Sequence, residues 1–522
     1  MGFANINLAE EISNALVAVE NKVVITYKEH RVFAPELNEK IKDLANAFPL
    51  NHIVSSDQRV LLIQRDTPSF VYSFLAVVAI GAIPVPLNPK IEGNTLKYIL
   101  ADSRAAAAIV DSKEFGRLRE VLQSSVYLEK NKIIVDGQYA DFDVSEPGLV
   151  LLRELMHSCS VDSFRFYHKK KNSVAFWQYT SGTTGMPKAV QHSQETMLVN
   201  TNTFAVNILG INESDRLYSI PKMFFGYGLG NSLFFPLLTG ASVLLDDSWP
   251  GLDTIIGNIL KFKPTVLFAV PAIYSLILKN IDTIDQSIFN EVRLFVSAGA
   301  PLPEDINLQW QQHFGQLITD GIGCTEIGHI YLTNMPPMII PGATGWPVDG
   351  YEVKLINDEG EEVDNLGELC IRPTYHSLGY WENPGKTNER FRNEWYRSGD
   401  LFERDEETGA YYYKDRKDNL FKAFNGRWVN PSDIEPLLIK QFKFRECALV
   451  GRLNNEGLMV PVLFVCSDHQ PDEEVIGGFL KQHVESYKIP RKIFYMQELP
   501  RNENGKVVRN RLTENLAEIV QL

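Results

Sequence analysis

Residues 173–193 read SVAFWQYTSGTTGMPKAVQHS. Residues 173–179 are apolar and aromatic, the composition of a buried strand. They empty into Thr180-Ser181-Gly182-Thr183-Thr184-Gly185, followed by Met186-Pro187-Lys188. Any fold holding this stretch must bury the strand and leave the loop open at its end. Glycines let the backbone come close to an anion, and inward N–H groups, hydroxyls and Lys188 supply donors and charge. A polar Gly-rich turn has the same ingredients, but their density here favours a phosphate cradle. It is not a Walker A loop, because the second glycine of G-x-x-x-x-G-K-[ST] would fall on Pro187.

Around this stretch, helix and strand patterns alternate. Residues 8–48 predict a helix, a short hairpin and a second helix. Residues 59–63 predict a buried strand, and Thr67-Pro68 starts a helix with proline in a tolerated first-turn position. Extended chain follows at 83–87, with further strands at 105–110, 132–135, 265–270 and 294–297. The alternation predicts a parallel, doubly wound α/β layout. Residues 137–172 read as an irregular polar connection, and an amphipathic run begins at Gln191. At 522 residues the chain is too long for one core. Its C-terminal part predicts a compact α/β piece: helices near 433–441 and 474–484, strands near 447–450 and 461–466, and a strand after Tyr487-Lys488-Ile489-Pro490.

Three further stretches look chemical. In Phe224-Phe225-Gly226-Tyr227-Gly228-Leu229-Gly230, aromatics offer flat walls and glycines leave room beside them, as a planar ring requires. Core packing with close helix approach would use the same residues. Residues 294–301, LFVSAGAP, are a strand ending in a small-residue turn, a surface on which a flat base can lie on backbone. Asp320-Gly321-Ile322-Gly323-Cys324-Thr325-Glu326 puts a hydroxyl and a carboxylate beside Gly-x-Gly. A carboxylate there suits Mg²⁺, which takes hard oxygen ligands and keeps water and phosphate as the rest of its shell.

Tyr179-Thr180-Ser181-Gly182-Thr183-Thr184-Gly185-x-Pro187-Lys188 resembles the phosphate-loop signature of the adenylate-forming enzymes, among them acyl-CoA synthetases, adenylation domains of peptide synthetases and luciferases. Other matching stretches follow in order, so the resemblance spans about residues 8–515. It implies a large N-terminal domain with several doubly wound subdomains (1–416) and a small mobile α/β domain (417–522), with a hinge near Asp418. It implies ATP, Mg²⁺ and coenzyme A: acid and ATP give acyl-AMP and pyrophosphate, then the CoA thiol displaces AMP. Thr180, Ser181, Gly182, Thr183, Thr184, Gly185 and Lys188 would hold phosphate. Ser297, Ala298, Gly299, Asp320, Gly321 and Ile322 would hold adenine, and Asp400 with Arg416 the ribose. Thr325 would bond the α-phosphate, Glu326 the metal, and Lys506 would be the catalytic lysine.

Phe225 stands where many members have His and benzoate-type ligases have an aromatic residue. The stretch therefore resembles the aryl-acid–CoA ligases, those of anthranilate and benzoate included. In that branch Phe225, Gly226, Tyr227, Gly299, Gly323, His329 and Ile330 would line the acid pocket. Gly226 replaces a common Ala, which would admit a ring substituent and points to anthranilate; benzoate or a hydroxybenzoate is the alternative acid, and a carrier protein the alternative thiol. Gly345-Trp346-Pro347, Gly367-Glu368-Leu369 and Gly379-Tyr380-Trp381 match minor structural motifs. Asp418, Gly426, Arg427 and Trp428 would serve the hinge and the CoA step. Two positions depart from the pattern: Asp415 stands where Gly is usual and Asn419 where Asp is common. The loop at 422–428 is also one residue longer.

A net charge of −14 argues against a general nucleic-acid binder. Five scattered cysteines without C-x-x-C predict reduced thiols in the cytoplasm and no zinc site. The first residues do not read as a signal peptide. The most apolar run, 70–87, holds Gly81, Pro84 and Pro86, so it predicts a buried helix and strand rather than a membrane span. The resemblance implies an aryl acid, ATP and CoA as partners of a monomer or homodimer, while charge and hydropathy predict no nucleic acid and no membrane.

Overall fold

A computed structural model describes residues 5–137, 150–157, 164–180, 186–375, 378–454, 456–501 and 507–513. The chain folds as mixed α/β. One sheet is wholly parallel and runs Ile83–Pro86, Arg59–Ile63, Ala107–Asp111, Ile133–Asp136, Val150–Leu151. Its strands are almost continuously apolar, as strands covered on both faces must be. Thr67 caps the helix Pro68–Ala79, its hydroxyl accepting from the Phe70 N–H. That helix is apolar all round because it lies inside the core, against the helix Ala34–Leu50. The apolar run at 70–87 is thus helix plus strand, and no helix among the described residues is long and apolar enough to cross a membrane.

A nine-stranded sheet forms the second layer, ordered Trp346–Pro347, Ile330–Thr333, Thr319–Gly323, Leu294–Ser297, Val266–Ala269, Arg216–Ser219, Ser242–Leu245, Val23–Tyr27, His30–Phe33. Pairing is parallel from Thr319–Gly323 to Val23–Tyr27 and antiparallel at both ends. Ligands in such sheets bind outside the carboxyl ends of the parallel strands. Those ends lead into residues 220–227, 298–300 and 324–329.

One expectation changes. Residues 137–172 are not irregular throughout: Val150–Leu151 adds the fifth parallel strand, Leu152–His157 is a helix, and Lys169–Lys170 pairs with Asn5–Ile6. These elements are too short to show a period and depend on long-range pairing. The amphipathic run from Gln191, to which the sequence assigns no element, begins as strand. Lys188–Ser193 pairs antiparallel with Val174–Thr180.

A mostly antiparallel sheet follows, built on Tyr351–Ile356, Leu366–Pro373, Trp395–Arg404 and Tyr411–Arg416. Beyond it, Glu446–Leu453, Met459–Cys466 and Lys492–Tyr495 form a three-stranded sheet carrying the helices Glu435–Phe442 and Glu473–His483. Its apolar clusters contain only residues after 420, and the clusters of the rest of the chain contain none of these.

Candidate active site

Hairpin register sets Thr180 opposite Lys188. Ser181, Gly182, Thr183, Thr184 and Gly185 lie outside the described residues, as does Lys506. Residues 379–381 run along the hairpin edge: the Gln191 N–H donates to the Gly379 carbonyl at 3.0 Å, and the Trp381 N–H to the Ala189 carbonyl at 2.9 Å. This holds Tyr380 so that its hydroxyl donates to Glu326 Oε1 at 2.7 Å. Glu326 and Lys188 therefore share one region. Burial holds the Lys188 amine below its ordinary range, as do Lys386 and Arg390, while Glu326 opposes them.

Thr325–Ile327 is a single 3-10 turn at the end of the strand Thr319–Gly323. Glycines bracket it. A Cβ on Gly323 would come within 2.5 Å of the His329 carbonyl oxygen, and Gly328 takes φ +87°, a conformation that favours glycine. The turn sets Thr325 and Glu326 on one side and His329-Ile330 on the other.

Ser297, Ala298 and Gly299 end the neighbouring strand, in parallel register with Asp320. Asp320 is buried, which pushes its carboxyl well above the usual range against the Gly321 N–H and Ser297. Its Oδ1 has no partner among the described residues. Asp400 and Arg416 are cross-strand neighbours, and Arg416 Nη1 donates to Asp400 Oδ1 at 3.0 Å. Burial works against the Arg416 charge, but Asp400 and its other neighbours outweigh it and raise the pKa.

The predicted acid-pocket residues also converge. Phe225 precedes the short helix Gly226–Leu229, and the Tyr227 hydroxyl donates to the Val296 carbonyl at 3.2 Å. Gly323 is the strand partner of Ile330. A Cβ on Gly226 would meet Gln178 Oε1 at 3.2 Å and the Gly328 carbonyl oxygen at 3.4 Å. His329 is buried among Phe204, Tyr227 and Phe235, with ring centroids 5.5, 5.7 and 4.6 Å away. Burial lowers its pKa to about 3, so the ring is neutral. Gly230 is what lets it in, since a Cβ there would stand 2.4 Å from the imidazole.

Gly426, Arg427 and Trp428 lie elsewhere, on an exposed turn between Phe421–Lys422 and Trp428–Val429. Arg427 packs over Tyr487 and Lys422 over Trp428, both within the small domain. Asp418 sits in the turn Lys417–Asn419, with Oδ2 3.9 Å from Arg416 Nη2.

Sequence reasoning missed Gln178, His192 and the positioning role of Tyr380. His192 is buried and stacked on Phe176, with centroids 4.5 Å apart. Gln178 carried a signal, being one amide inside an aromatic strand.

Residues 14–381 match the family described as AMP-binding enzyme, and residues 433–506 the AMP-binding enzyme C-terminal domain. An anthranilate–CoA ligase of Pseudomonas aeruginosa is 38% identical over 479 residues, 90% of this chain and 89% of that protein. A 4-hydroxybenzoate–CoA/benzoate–CoA ligase of Rhodopseudomonas palustris is 33% identical over 520 residues, 98% of this chain and 93% of that protein. Among solved structures, an anthranilate CoA ligase in complex with anthranoyl-AMP superposes with a TM-score of 0.87 at 30% identity, covering 97% of this chain and 96% of that one. A benzoate CoA ligase from Burkholderia xenovorans gives 0.86 at 30% identity, covering 98% and 100%.

Proposed function

This chain belongs to the AMP-binding enzyme family and is an AMP-forming acid–CoA ligase, and from that premise we propose that the acid it activates is anthranilate. The observation that carries the choice is Gly226 itself, which bears no side chain where it faces Gln178 and the Gly328 carbonyl, beside Tyr227 and a neutral His329.

The reaction joins a weak nucleophile to a phosphate of like charge. We assign Lys506 to offset that charge as the carboxylate attacks the α-phosphate. The loop from Thr180 to Lys188 holds the departing pyrophosphate, with Thr325 on the α-phosphate. Ser297, Ala298, Gly299, Asp320, Gly321 and Ile322 receive the adenine. Asp400 and Arg416 fix the ribose and so the line of attack. Among the described residues no group of three His, Cys, Asp or Glu could hold a metal alone. A lone carboxylate suits Mg²⁺, which completes its shell with phosphate and water, and Glu326 uses Oε1 for Tyr380 and keeps Oε2 for it. When bound, Mg²⁺ neutralises phosphate charge.

The boundary near residue 416 and the hinge at Asp418 remain our assignment, supported by apolar clusters that stop short of it on either side. The small domain turns there between half-reactions, bringing Gly426, Arg427 and Trp428 to the CoA step. We also place the enzyme in the cytoplasm, as a monomer or homodimer, in keeping with free thiols at Cys324, Cys370, Cys447 and Cys466.

The test is AMP release with ATP, Mg²⁺ and CoA on anthranilate, benzoate, 2- and 4-hydroxybenzoate and a medium-chain fatty acid. Anthranilate is expected to lead. Turnover led by benzoate or a hydroxybenzoate would overturn the choice of acid while keeping the reaction. Pyrophosphate exchange without thioester formation from free CoA would favour a carrier protein as the thiol.

A further inference from the structure

Gln178 lies in the strand Val174–Thr180, two residues before the phosphate loop, and is 2% exposed. Its Nε2 has no partner among the described residues. Its Oε1 faces Gly226, 3.2 Å from where a Cβ there would stand, a tight contact. A buried amide with bonds unmade costs free energy on the scale of a lost hydrogen bond. A ligand that supplied both bonds would recover that cost.

We propose that Gln178 is a specificity-determining residue whose carboxamide reads the amino and carboxylate groups of the aryl acid together; this rests on the anthranilate reading above. An ortho-amino acid presents an N–H donor and a carboxylate oxygen acceptor on adjacent ring carbons. A carboxamide presents the converse pair, a C=O acceptor beside an NH₂ donor. Oε1 accepts from the ring amino group, and Nε2 donates to the carboxylate oxygen that does not attack phosphorus. Benzoate makes only the second bond and leaves Oε1 unpaired. Gly226 matters because any side chain there would push against Oε1 and turn the carboxamide away from the ligand. Another unpartnered atom nearby, His329 Nδ1, belongs to a neutral ring packed among aromatics and offers no such donor–acceptor pair.

The experiment compares kcat/KM for anthranilate, benzoate and 2-methylbenzoate in the natural enzyme, Gln178→Leu and Gln178→Met. In both variants the anthranilate-to-benzoate ratio is expected to fall by about 2- to 10-fold, the range for losing the one neutral hydrogen bond by which the two acids differ, since the bond to the carboxylate is lost for both. Benzoate turnover should also fall, because both variants lose the bond to its carboxylate, and an unchanged melting temperature reports that the pocket still folds. 2-Methylbenzoate, of similar shape but without a donor, should gain on anthranilate. A variant that turns over benzoate and keeps the natural preference overturns the assignment. So does an equal loss of all three activities at an unchanged melting temperature, because the role would then be general. A natural enzyme with no preference for anthranilate over benzoate overturns the anthranilate reading itself, and this inference with it.

Discussion

Asn419 donates its side-chain amide to Asp415 Oδ1 at 2.7 Å. The two positions that depart from the family pattern are therefore bonded to each other. Asp415 Oδ1 also accepts from the Arg416 N–H, and Oδ2 accepts from the Ser432 hydroxyl at 2.7 Å, across the turn that leads into the small domain. Asp415 is 2% exposed, so this carboxylate is a buried clasp between the strand Tyr411–Arg416 and residue 432.

A double-mutant cycle tests the clasp. Asn419→Asp alone sets a second carboxylate against Asp415 and should lower the melting temperature. Asp415→Gly alone leaves the Asn419 amide and Ser432 hydroxyl without their acceptor. The double variant should recover most of the loss, with a coupling of about 0.5–3 kcal/mol, the range for residues in direct contact. Additive losses would show that the two positions act independently.

Lys506→Ala should slow adenylation by about 10²–10³-fold, the scale of losing one oriented donor to developing charge. Thioester formation from supplied acyl-AMP should suffer less. Single-turnover measurement of each half-reaction separates the two, and equal damage to both would defeat the assignment.

Tyr380→Phe removes the hydroxyl that orients Glu326. Hydrogen bonds to charged groups contribute about 1.5–3 kcal/mol, so half-saturation by Mg²⁺ should rise by roughly 10- to 100-fold on that scale. Titrating adenylation against Mg²⁺ at fixed ATP checks this. An unchanged Mg²⁺ dependence would mean that Glu326 does not need Tyr380.

Two buried imidazoles make the fold acid-sensitive. Burial lowers the pKa of both His192 and His329 from 6.5 to about 3. Unfolding lets each take up a proton, so the stability each contributes is present above 6.5 and is lost as pH falls toward 3. Each should cost about 1.4 kcal/mol per pH unit in that window. His192→Phe keeps the stack on Phe176 and should remove one histidine's share. Thermal unfolding from pH 7.5 to 5 would read this, and parallel curves for the two proteins would refute it.

The parallel sheets were legible because their strands are nearly continuous apolar runs, as at residues 59–63, and because Thr67-Pro68 is a strong helix start. The converging glycines and aromatics around residue 226 were legible for the same reason: only a few residue types fit beside a flat ring. Val150–Leu151 escaped notice because a two-residue strand has no periodicity and exists only through its pairing with Ile133–Asp136. The Asp415–Asn419–Ser432 clasp escaped because its members come together through a turn and a long-range contact, not through helical spacing. Tyr380 passed as a structural motif residue, since its reach to Glu326 depends on how the segment 379–381 lies along the hairpin.

No apolar cluster spans residues 414–420. A turn of the small domain would then expose no dry interior and release no ordered hydrocarbon. Its balance point would be set by exchanging a few polar contacts, Asp415 foremost among them. Such a joint can be geared: one side chain can alter how long the enzyme dwells in each pose.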